Sequence, residues 1–358
     1  MMVEPLISAE ADLMRNIADQ QPVVLSTRIR LARNLTGHPF PGHADATERR
    51  AVLELCERAI GASGYFRKGY CFHLDFLDEE NRSLLVERHL ISRELAGNKN
   101  CAVFITRDQT CSVMVNEEDH LRIQVMRGGY HFGRVWKQAL ELDSALDGAL
   151  KIAFNPDLGY LTTCPTNLGT GLRGSAMLHL PGLVLSGQMD KVIKAVSLDG
   201  LTVRGWLGEG SEAAGSIFQV SNQHTLGLTE TQILNHLEHW LERIIERERD
   251  ARLRLLESDP VKLHDIVARS VATLRNARLL CSCEAMSALS LARLACDLGM
   301  LPAFWRLLID RLFIENQPAH MRAIAGKKME GNALDALRAT LVREATSTMP
   351  PLAFDILD

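Results

Sequence analysis

The chain has 358 residues, with 40 lysine and arginine residues against 44 acidic ones and a formal net charge of −4. This weakly acidic balance, with a pI near 6.3, excludes a basic surface for nucleic acid over the whole protein. No segment approaches the roughly 18 uncharged apolar residues of a membrane span, and no secretory signal is recognisable. The sequence therefore predicts two folded cytoplasmic domains without a nucleic-acid or membrane partner.

Helix and strand signals alternate in the first two thirds of the chain. The segments 101–106 and 111–116 are β-prone and flank a polar turn, which predicts an antiparallel hairpin. The alternating segment 120–126 extends this hairpin as a third strand. Because strands that arrive as hairpins form antiparallel sheets, the sequence predicts an α+β fold rather than a doubly wound parallel one. Further strands are predicted at 201–205 and 216–221, and helices at 50–63, 81–95, 135–146 and 189–197.

A long helix is predicted to begin after Thr229, because Gln232 completes a capping box and apolar residues then recur at helical spacing. Asp259-Pro260 predicts the end of this helix. Only helical periodicity follows, which indicates an all-α domain. The predicted organisation is an N-terminal extension (1–20), an α+β domain (21–251) and an all-helical C-terminal domain (252–358).

Eight cysteines are scattered along the sequence, and the closest pair is Cys281 and Cys283. Paired cysteines or histidines at zinc-ligand spacing are missing, and disulfides are not typical of a long cytosolic chain. We therefore expect no metal ligand set and interpret seven of the eight thiols as small buried apolar side chains. Cys164 is the exception because of the motif that contains it.

The segment 26–33 carries arginines where packing alone does not require them. In an extended strand, Arg28 and Arg30 point to the same face. Two guanidinium groups on one face repel each other unless an anion lies between them, and phosphate oxygens match their planar geometry. The alternative interpretation is a solvated strand face.

Three more segments carry unusual charge. Glu117, Glu118 and Asp119 end a β-prone run, which indicates either a functional site or an acidic turn. The segment 164–174 contains GxGxxG, but a Cys-Pro-Thr-Asn loop precedes it and Arg173 interrupts it, so we reject a dinucleotide fold and expect the glycines to wrap an anion. The segment 204–212 predicts a loop that closes over a ligand, or an ordinary surface loop. Because neither GxxxxGK[ST] nor HRD and DFG motifs occur, a nucleotide enzyme built here must bind phosphate with arginines.

In their order and spacing, four motifs closely resemble those of the guanidino (phosphagen) kinases: STRIR (26–30), NEEDHLRI (116–123), CPTNLGTGLR (164–173) and RGWLGEGSE (204–212). The runs RHLIS (88–92), RGSAMLHLP (173–181) and FQVSNQHTLGLTE (218–230) are similar as well. The resemblance covers about residues 21–251. It implies a kinase that uses ATP and Mg²⁺.

The domain order resembles that of bacterial protein arginine kinases of the McsB type, because only 25 residues precede Ser26 and a helical domain follows. Met177 and Leu207, where metabolite kinases have histidine and arginine, agree with this branch. The resemblance implies phosphorylation of exposed arginines in proteins, which marks them for proteolysis in stress response and quality control. It also implies a homodimer, an activator protein and a protease chaperone as partners. The alternatives are a kinase for a free guanidine metabolite and an inactive phosphoarginine-binding adaptor.

The resemblance also implies roles for single residues. Glu118 and Glu209 would bracket the acceptor guanidinium, with Glu209 as the expected base, and Cys164 would lie beside it. The implied ATP-binding set is Ser26, Thr27, Arg28, Ile29, Arg30, His89, Arg122, Arg173, Gly174, Ser175, Ala176, Met177, Arg204, Gly205, Trp206, Leu207, Gly208 and Glu209. An RDxxRA motif forms an allosteric phosphoarginine pocket in the family. Here Leu334 replaces its first arginine, so Asp335 and Arg338 predict a weakened pocket.

Overall fold

The computed structural model describes residues 3–7, 22–206 and 214–353. The strands are β1 (Val24–Arg33), β2 (Tyr70–His73), β3 (Ala102–Ile105), β4 (Cys111–Val115), β5 (Leu121–Gly128), β6 (Phe154–Asn155), β7 (Gly159–Tyr160), β8 (Leu172–His179), β9 (Leu201–Gly205) and β10 (Ile217–Asn222). The helices are α1 (Glu4–Ile7), α2 (Ala46–Ala62), α3 (Glu79–Glu87), α4 (Arg93–Gly97), α5 (Phe132–Asp147), α6 (Pro181–Leu185), α7 (Met189–Leu198), α8 (Glu230–Ser258), α9 (Pro260–Asn276), α10 (Ser282–Asp297), α11 (Trp305–Glu315), α12 (Pro318–Ala325) and α13 (Gly331–Thr346). Among these described helices, none is long and apolar enough to cross a membrane.

Eight strands form one sheet in the order β2-β3-β4-β5-β1-β8-β10-β9, and every neighbouring pair is antiparallel. The predicted hairpin is confirmed as β3 and β4, and β5 extends it as expected. The long strand β1 lies near the centre and joins this meander to β8. The predicted antiparallel α+β class is therefore confirmed.

The two faces of the sheet have different partners. Ile29 and Leu31 of β1 point into the main hydrophobic core, which α2, α5 and α8 cover. Arg28 and Arg30 alternate with them and therefore point to the opposite face, as strand geometry requires. Two smaller cores flank this opposite face, one built on α3, β2 and β3 and the other on the C-terminal helices. An open polar area remains between these two cores.

The helical C-terminal region begins as predicted. The hydroxyl of Thr229 accepts the backbone N–H of Gln232, and the Gln232 side chain accepts the backbone N–H of Thr229. Helix α8 ends at Ser258 and Pro260 begins α9. From α8 to α13 the described chain forms helices alone as regular secondary structure, so the all-α prediction is confirmed.

A buried arginine ties the C-terminal helices to the sheet. Arg293 of α10 donates to a carboxylate oxygen of Asp310 at 2.6 Å and to the carbonyl oxygen of Pro22, which precedes β1, at 2.8 Å. The same guanidinium lies 3.2 Å from Nδ1 of His179, the last residue of β8. Burial and the charges of Arg293 and Arg252 hold the pKa of His179 well below its usual range. A neutral imidazole can therefore accept this hydrogen bond.

Several local predictions were wrong. The single helix predicted over 81–95 is two helices, because His89 adopts a left-handed backbone conformation (φ 57°) between α3 and α4. Strands β2 and β8 were not predicted, although the glycine-rich motif ends inside β8. Cys71, Cys281 and Cys283 are exposed rather than buried.

Candidate active site

Strand register brings arginines from four strands to one face of the sheet. Across β1 and β8, Arg30 lies opposite Arg173 and Arg28 lies opposite Ser175. On the other side of β1, the pairing of Ala32 with Arg122 puts this β5 arginine on the same face. Arg204 of β9 completes the set, because it pairs with Gln219 of β10, whose other partner is Met177 of β8. All five arginines line a single cleft.

Within the described residues, neither Arg28 nor Arg30 of this cluster forms an ion pair with an acid. Arg28 donates to neutral side chains, to the amide oxygen of Gln219 at 2.5 Å and to the Ser175 hydroxyl at 3.4 Å. Burial and the charges of Arg173 and Arg122 lower the pKa of Arg28 to about 10. Burial and the charges of Arg28, Arg122 and Arg173 hold the pKa of Arg30 well below its usual range, against an opposing effect of Glu117, and the buried Nε of Arg30 has no hydrogen-bond partner. A bound polyanion would relieve this repulsion.

The acidic turn between β4 and β5 enters the same cleft. Arg122 forms ion pairs with two acids of this turn. Its Nε lies 2.8 Å from a carboxylate oxygen of Glu117, and its Nη2 lies 3.2 Å from one of Glu118. Burial raises the pKa of Glu118, and the negative charges of Asp119 and Glu117 add to this effect, while Arg122 opposes it. Glu118 is therefore a carboxylate whose proton affinity is increased by its surroundings.

A buried hydrogen-bond network anchors the Cys164 segment to this acidic turn. A carboxylate oxygen of Asp119 accepts the backbone N–H of Thr163 at 2.7 Å and the Asn34 side-chain amide at 2.7 Å. The carbonyl oxygen of the same Asn34 side chain accepts the backbone N–H of His120 at 2.9 Å. Cys164 is partly exposed in the cleft, with its Sγ 3.0 Å from the Thr166 hydroxyl. The thiol and the Glu118 carboxylate are thus positioned by one rigid scaffold.

The glycines of the predicted anion-wrapping loop serve close packing. Gly169 (φ 106°) and Gly171 (φ 64°) have conformations that disfavour side chains. A Cβ at Gly169 would lie 2.6 Å from the carbonyl oxygen of Thr225, and one at Gly171 would lie 2.6 Å from that of Ala32. Gly174 packs against the side chains of α8. Gly171 and Arg173 also line the cleft, so the contact of this loop with an anion stays a prediction.

The cleft has a volume of about 800 Å³, and an aromatic pair forms part of its wall. The rings of His89 and Trp206 meet edge to face with 5.0 Å between their centroids. Burial and the charge of Arg28 lower the pKa of His89 to about 3, and its buried Nε2 has no hydrogen-bond partner. A neutral imidazole with an unused ring nitrogen is suited to a heteroaromatic ligand.

The structure brings only part of the predicted residue set to the cleft. The residues that line it are Arg28, Arg30, His89, Glu118, Arg122, Cys164, Arg173, Arg204 and Trp206. Ser26, Ser175 and Met177 are on the same face but buried. Five further predicted positions belong to the other face of the sheet, because they alternate along the strands with the residues above: Thr27, Ile29, Gly174, Ala176 and Gly205. Leu207, Gly208 and Glu209 lie outside the described residues.

Sequence reasoning missed several other residues of the cleft. They are Arg49 of α2, Arg93 and Glu94 of α4, Asn98, Gln219 and Gln223. Gln219 and Gln223 fall within the resembling run 218–230, which could have drawn attention to them. Nothing in the sequence points to Arg49, because the residues around it show only the pattern of an ordinary amphipathic helix.

The arginine of the predicted phosphoarginine pocket already donates hydrogen bonds to other groups of the protein. Arg338 is buried, and its guanidinium donates to the carbonyl oxygens of Asn316 and Leu280, each at 2.8 Å, and to Asp335 at 2.6 Å. Leu334 is also buried. In this conformation Arg338 joins the start of α10 and the end of α11 to α13, and its described contacts are structural.

The residues of the cleft fit the triphosphate of ATP. Five guanidinium groups supply more positive charge than the described acids balance, and one buried donor, Nε of Arg30, is unused. The carboxylates nearest to these arginines, Glu117 and Glu118, already contact Arg122. A Mg²⁺ ion would therefore be held mainly by the phosphate oxygens, as is usual for this cation. When bound, it would supply neutralisation of phosphate charge.

Comparisons with known proteins agree with this geometry. Residues 51–251 match the family model "ATP:guanido phosphotransferase, C-terminal catalytic domain", and residues 260–355 match "Protein-arginine kinase McsB C-terminal domain". A protein-arginine kinase of Brevibacillus brevis is 42% identical over 92% of this chain and 94% of its own, and one of Moorella thermoacetica is 43% identical over 92% and 96%.

Solved structures show the same fold. The duplicated taurocyamine kinase from Schistosoma mansoni has a TM-score of 0.58 at 24% identity, covering 75% of this chain and 42% of that one. A lombricine kinase has a TM-score of 0.57 at 25% identity, covering 68% and 69%. The sheet and the arginine-lined cleft therefore define an ATP:guanido phosphotransferase, and the chain belongs to that family. Within it, the C-terminal domain and the similar relatives place the chain among the protein-arginine kinases.

Proposed function

We propose that the protein transfers the γ-phosphoryl group of ATP to arginine side chains in proteins. The observation that carries this proposal is the composition of one cleft. Five arginines crowd one face of the sheet, and a carboxylate of raised pKa and a thiol enter the same space. The first group is suited to phosphate and the second to a guanidinium cation.

The acceptor determines what the site must accomplish. A guanidinium is a poor nucleophile because it is protonated and its charge is delocalised. The reaction therefore requires in-line positioning of the two substrates and a base that removes a proton as the N–P bond forms. Charge on the transferring phosphoryl group must be neutralised at the same time.

The described residues can divide these tasks. Arg28, Arg30, Arg122, Arg173 and Arg204 bind and neutralise the phosphates. The Glu118 carboxylate accepts hydrogen bonds from the guanidinium, and its raised pKa makes it a stronger proton acceptor than an ordinary carboxylate. Cys164 lines the same cleft and can contribute to cation binding. Glu209, the sequence-based candidate for the base, remains a proposal from the resemblance alone.

A protein acceptor is favoured over a free metabolite by the family relationship and by the domain order. The relatives at 42% and 43% identity, each of which matches over 92% of this chain, carry the name protein-arginine kinase. The activator protein, the protease chaperone, homodimerisation, cytoplasmic location and the marking of targets for proteolysis remain predictions from the resemblance.

The test compares acceptors under identical conditions. The full chain is incubated with ATP and Mg²⁺ and either an unfolded arginine-rich protein or free arginine, and acid-labile phosphoarginine is measured by ³¹P NMR. We expect a phosphoarginine signal on the protein and much less on the free amino acid. Preference for free arginine would instead identify a metabolite kinase, and no transfer to either acceptor would favour an adaptor.

A further inference from the structure

Three potential metal ligands meet outside the active-site cleft. Cys71 and His73 belong to the edge strand β2, and Glu57 belongs to α2. One ligand atom from each side chain lies within 4.8 Å of the other two. Nothing in the proposed phosphoryl transfer uses these residues.

Strand geometry explains why the three side chains converge. Cys71 and His73 are two residues apart and therefore point to the same face of β2. Their cross-strand partners on β3 are Phe104 and Ala102, which belong to the main core that α2 covers. The face that carries the thiol and the imidazole is therefore the face on which Glu57 arrives.

The contact between the carboxylate and the imidazole is not a hydrogen bond. The Nε2 atom of His73 lies 3.0 Å from Oε1 of Glu57, yet this buried oxygen has no partner in hydrogen-bond geometry. Zinc bonds of about 2.0–2.3 Å in tetrahedral geometry separate ligand atoms by roughly 3.3–3.8 Å. The observed spacing requires only small side-chain rotations to reach this arrangement. Buried acceptor atoms normally accept a hydrogen bond, whereas this oxygen has only the ion-pair contact with His73.

We propose that Glu57, Cys71 and His73 form a binding site for a zinc-like divalent cation that links α2 to the edge of the sheet. A sulfur, a nitrogen and an oxygen donor suit Zn²⁺, whereas Mg²⁺ prefers oxygen ligands alone. Binding replaces the thiol S–H bond with a metal–thiolate bond and releases that proton to the buffer. With three protein ligands, the fourth position is left to water.

The site has a structural link to the active-site cleft. The same helix, α2, carries Arg49 into that cleft, and the backbone carbonyl oxygen of Arg49 accepts the side-chain amide of Asn116, which precedes Glu117, at 2.7 Å. An ion that binds α2 to β2 stabilises the folded state, because it does not find this site in the unfolded chain. The proposal concerns binding and is independent of the phosphoryl acceptor.

The test uses untagged full-length protein that has been stripped with EDTA. Titration calorimetry with Zn²⁺ should show one ion per chain, and Zn²⁺ should raise the melting temperature. Cys71→Ser and His73→Ala should each weaken binding at least tenfold. The matched controls, Cys281→Ser at another exposed thiol and His236→Ala at another exposed histidine, should leave it unchanged.

A spectroscopic measurement identifies the ligands directly. Co²⁺ in place of Zn²⁺ should give a thiolate-to-metal charge-transfer band that Cys71→Ser abolishes and Cys281→Ser preserves. Circular dichroism confirms that each variant is folded, which is expected because Cys71 is exposed and His73 is partly exposed. Zn²⁺ affinity unchanged in Cys71→Ser, or no stoichiometric binding by the wild type, would overturn the proposal.

Discussion

Arg30 and Arg173 lie directly opposite each other across β1 and β8, and both side chains point to the same face of the sheet. Like charges in a cross-strand pair destabilise a sheet. Burial, together with the charges of Arg28, Arg122 and Arg173, lowers the pKa of Arg30. The fold therefore places like charges close together, and a bound anion would relieve their repulsion.

Arg30→Ala should weaken nucleotide binding without lowering the stability of the nucleotide-free protein. We expect nucleotide affinity to fall about ten- to a hundredfold, because a charge-assisted contact of ~1.5–3 kcal/mol is lost. The nucleotide-free protein should be as stable as the wild type or more stable, since repulsion is removed. Calorimetry with ATP and urea unfolding check the two effects. Unchanged ATP affinity would favour the alternative of a solvated strand face.

Arg33→Ala, on the same strand but the opposite face, should have the reverse effect. Arg33 is buried and forms a bidentate pair with Asp143, with distances of 3.0 and 2.7 Å. Its removal leaves a buried carboxylate without a partner, which should cost about 3–5 kcal/mol of unfolding free energy. Urea unfolding measures this loss, and the double variant Arg33→Met/Asp143→Leu should recover much of it. A fully stable single variant would contradict this role of the pair.

Glu118→Gln should change the pH dependence of turnover. A base must be deprotonated to act, and burial raises the pKa of Glu118, so the rate should increase with pH over a higher range than for an ordinary carboxyl group. In the variant, this increase of the rate with pH should disappear, and kcat should fall about 10²–10⁴-fold. ATP affinity should be largely retained, because Glu118 faces the acceptor. If the variant kept the same increase of rate with pH at near wild-type activity, Glu118 would be excluded as a proton acceptor.

Some of this site was predictable from sequence, because strand periodicity alone places Arg28 and Arg30 together. The arrival of Arg173 opposite Arg30 was not, since it depends on the register between strands that are about 140 residues apart. The break at His89 was also missed, because a left-handed histidine is a tertiary effect that helical periodicity cannot show. The roles of the cleft residues were predicted from the motif resemblance, whereas the position of the arginines on one face of the sheet is seen only in the fold.

The regulation of the protein should differ from that of relatives with a complete RDxxRA motif. Arg338 donates to two backbone carbonyl oxygens and to Asp335, so a phosphate would have to displace existing contacts. We expect free phosphoarginine to stimulate activity weakly or not at all. Arg338→Ala should lower the melting temperature, because buried carbonyl oxygens lose their donor. Strong stimulation that survives in Arg338→Ala would place the pocket elsewhere.

Phosphorylation of protein arginines can be detected directly by site-localised mass spectrometry of an unfolded protein substrate after reaction with ATP and Mg²⁺. Wild-type protein and Glu118→Gln are compared at equal concentration under conditions that preserve the acid-labile N–P bond. We expect phosphorylation on arginine residues by the wild type and its near-complete loss in the variant. Phosphate on serine, threonine or tyrosine, or equal arginine phosphorylation by both proteins, would contradict it.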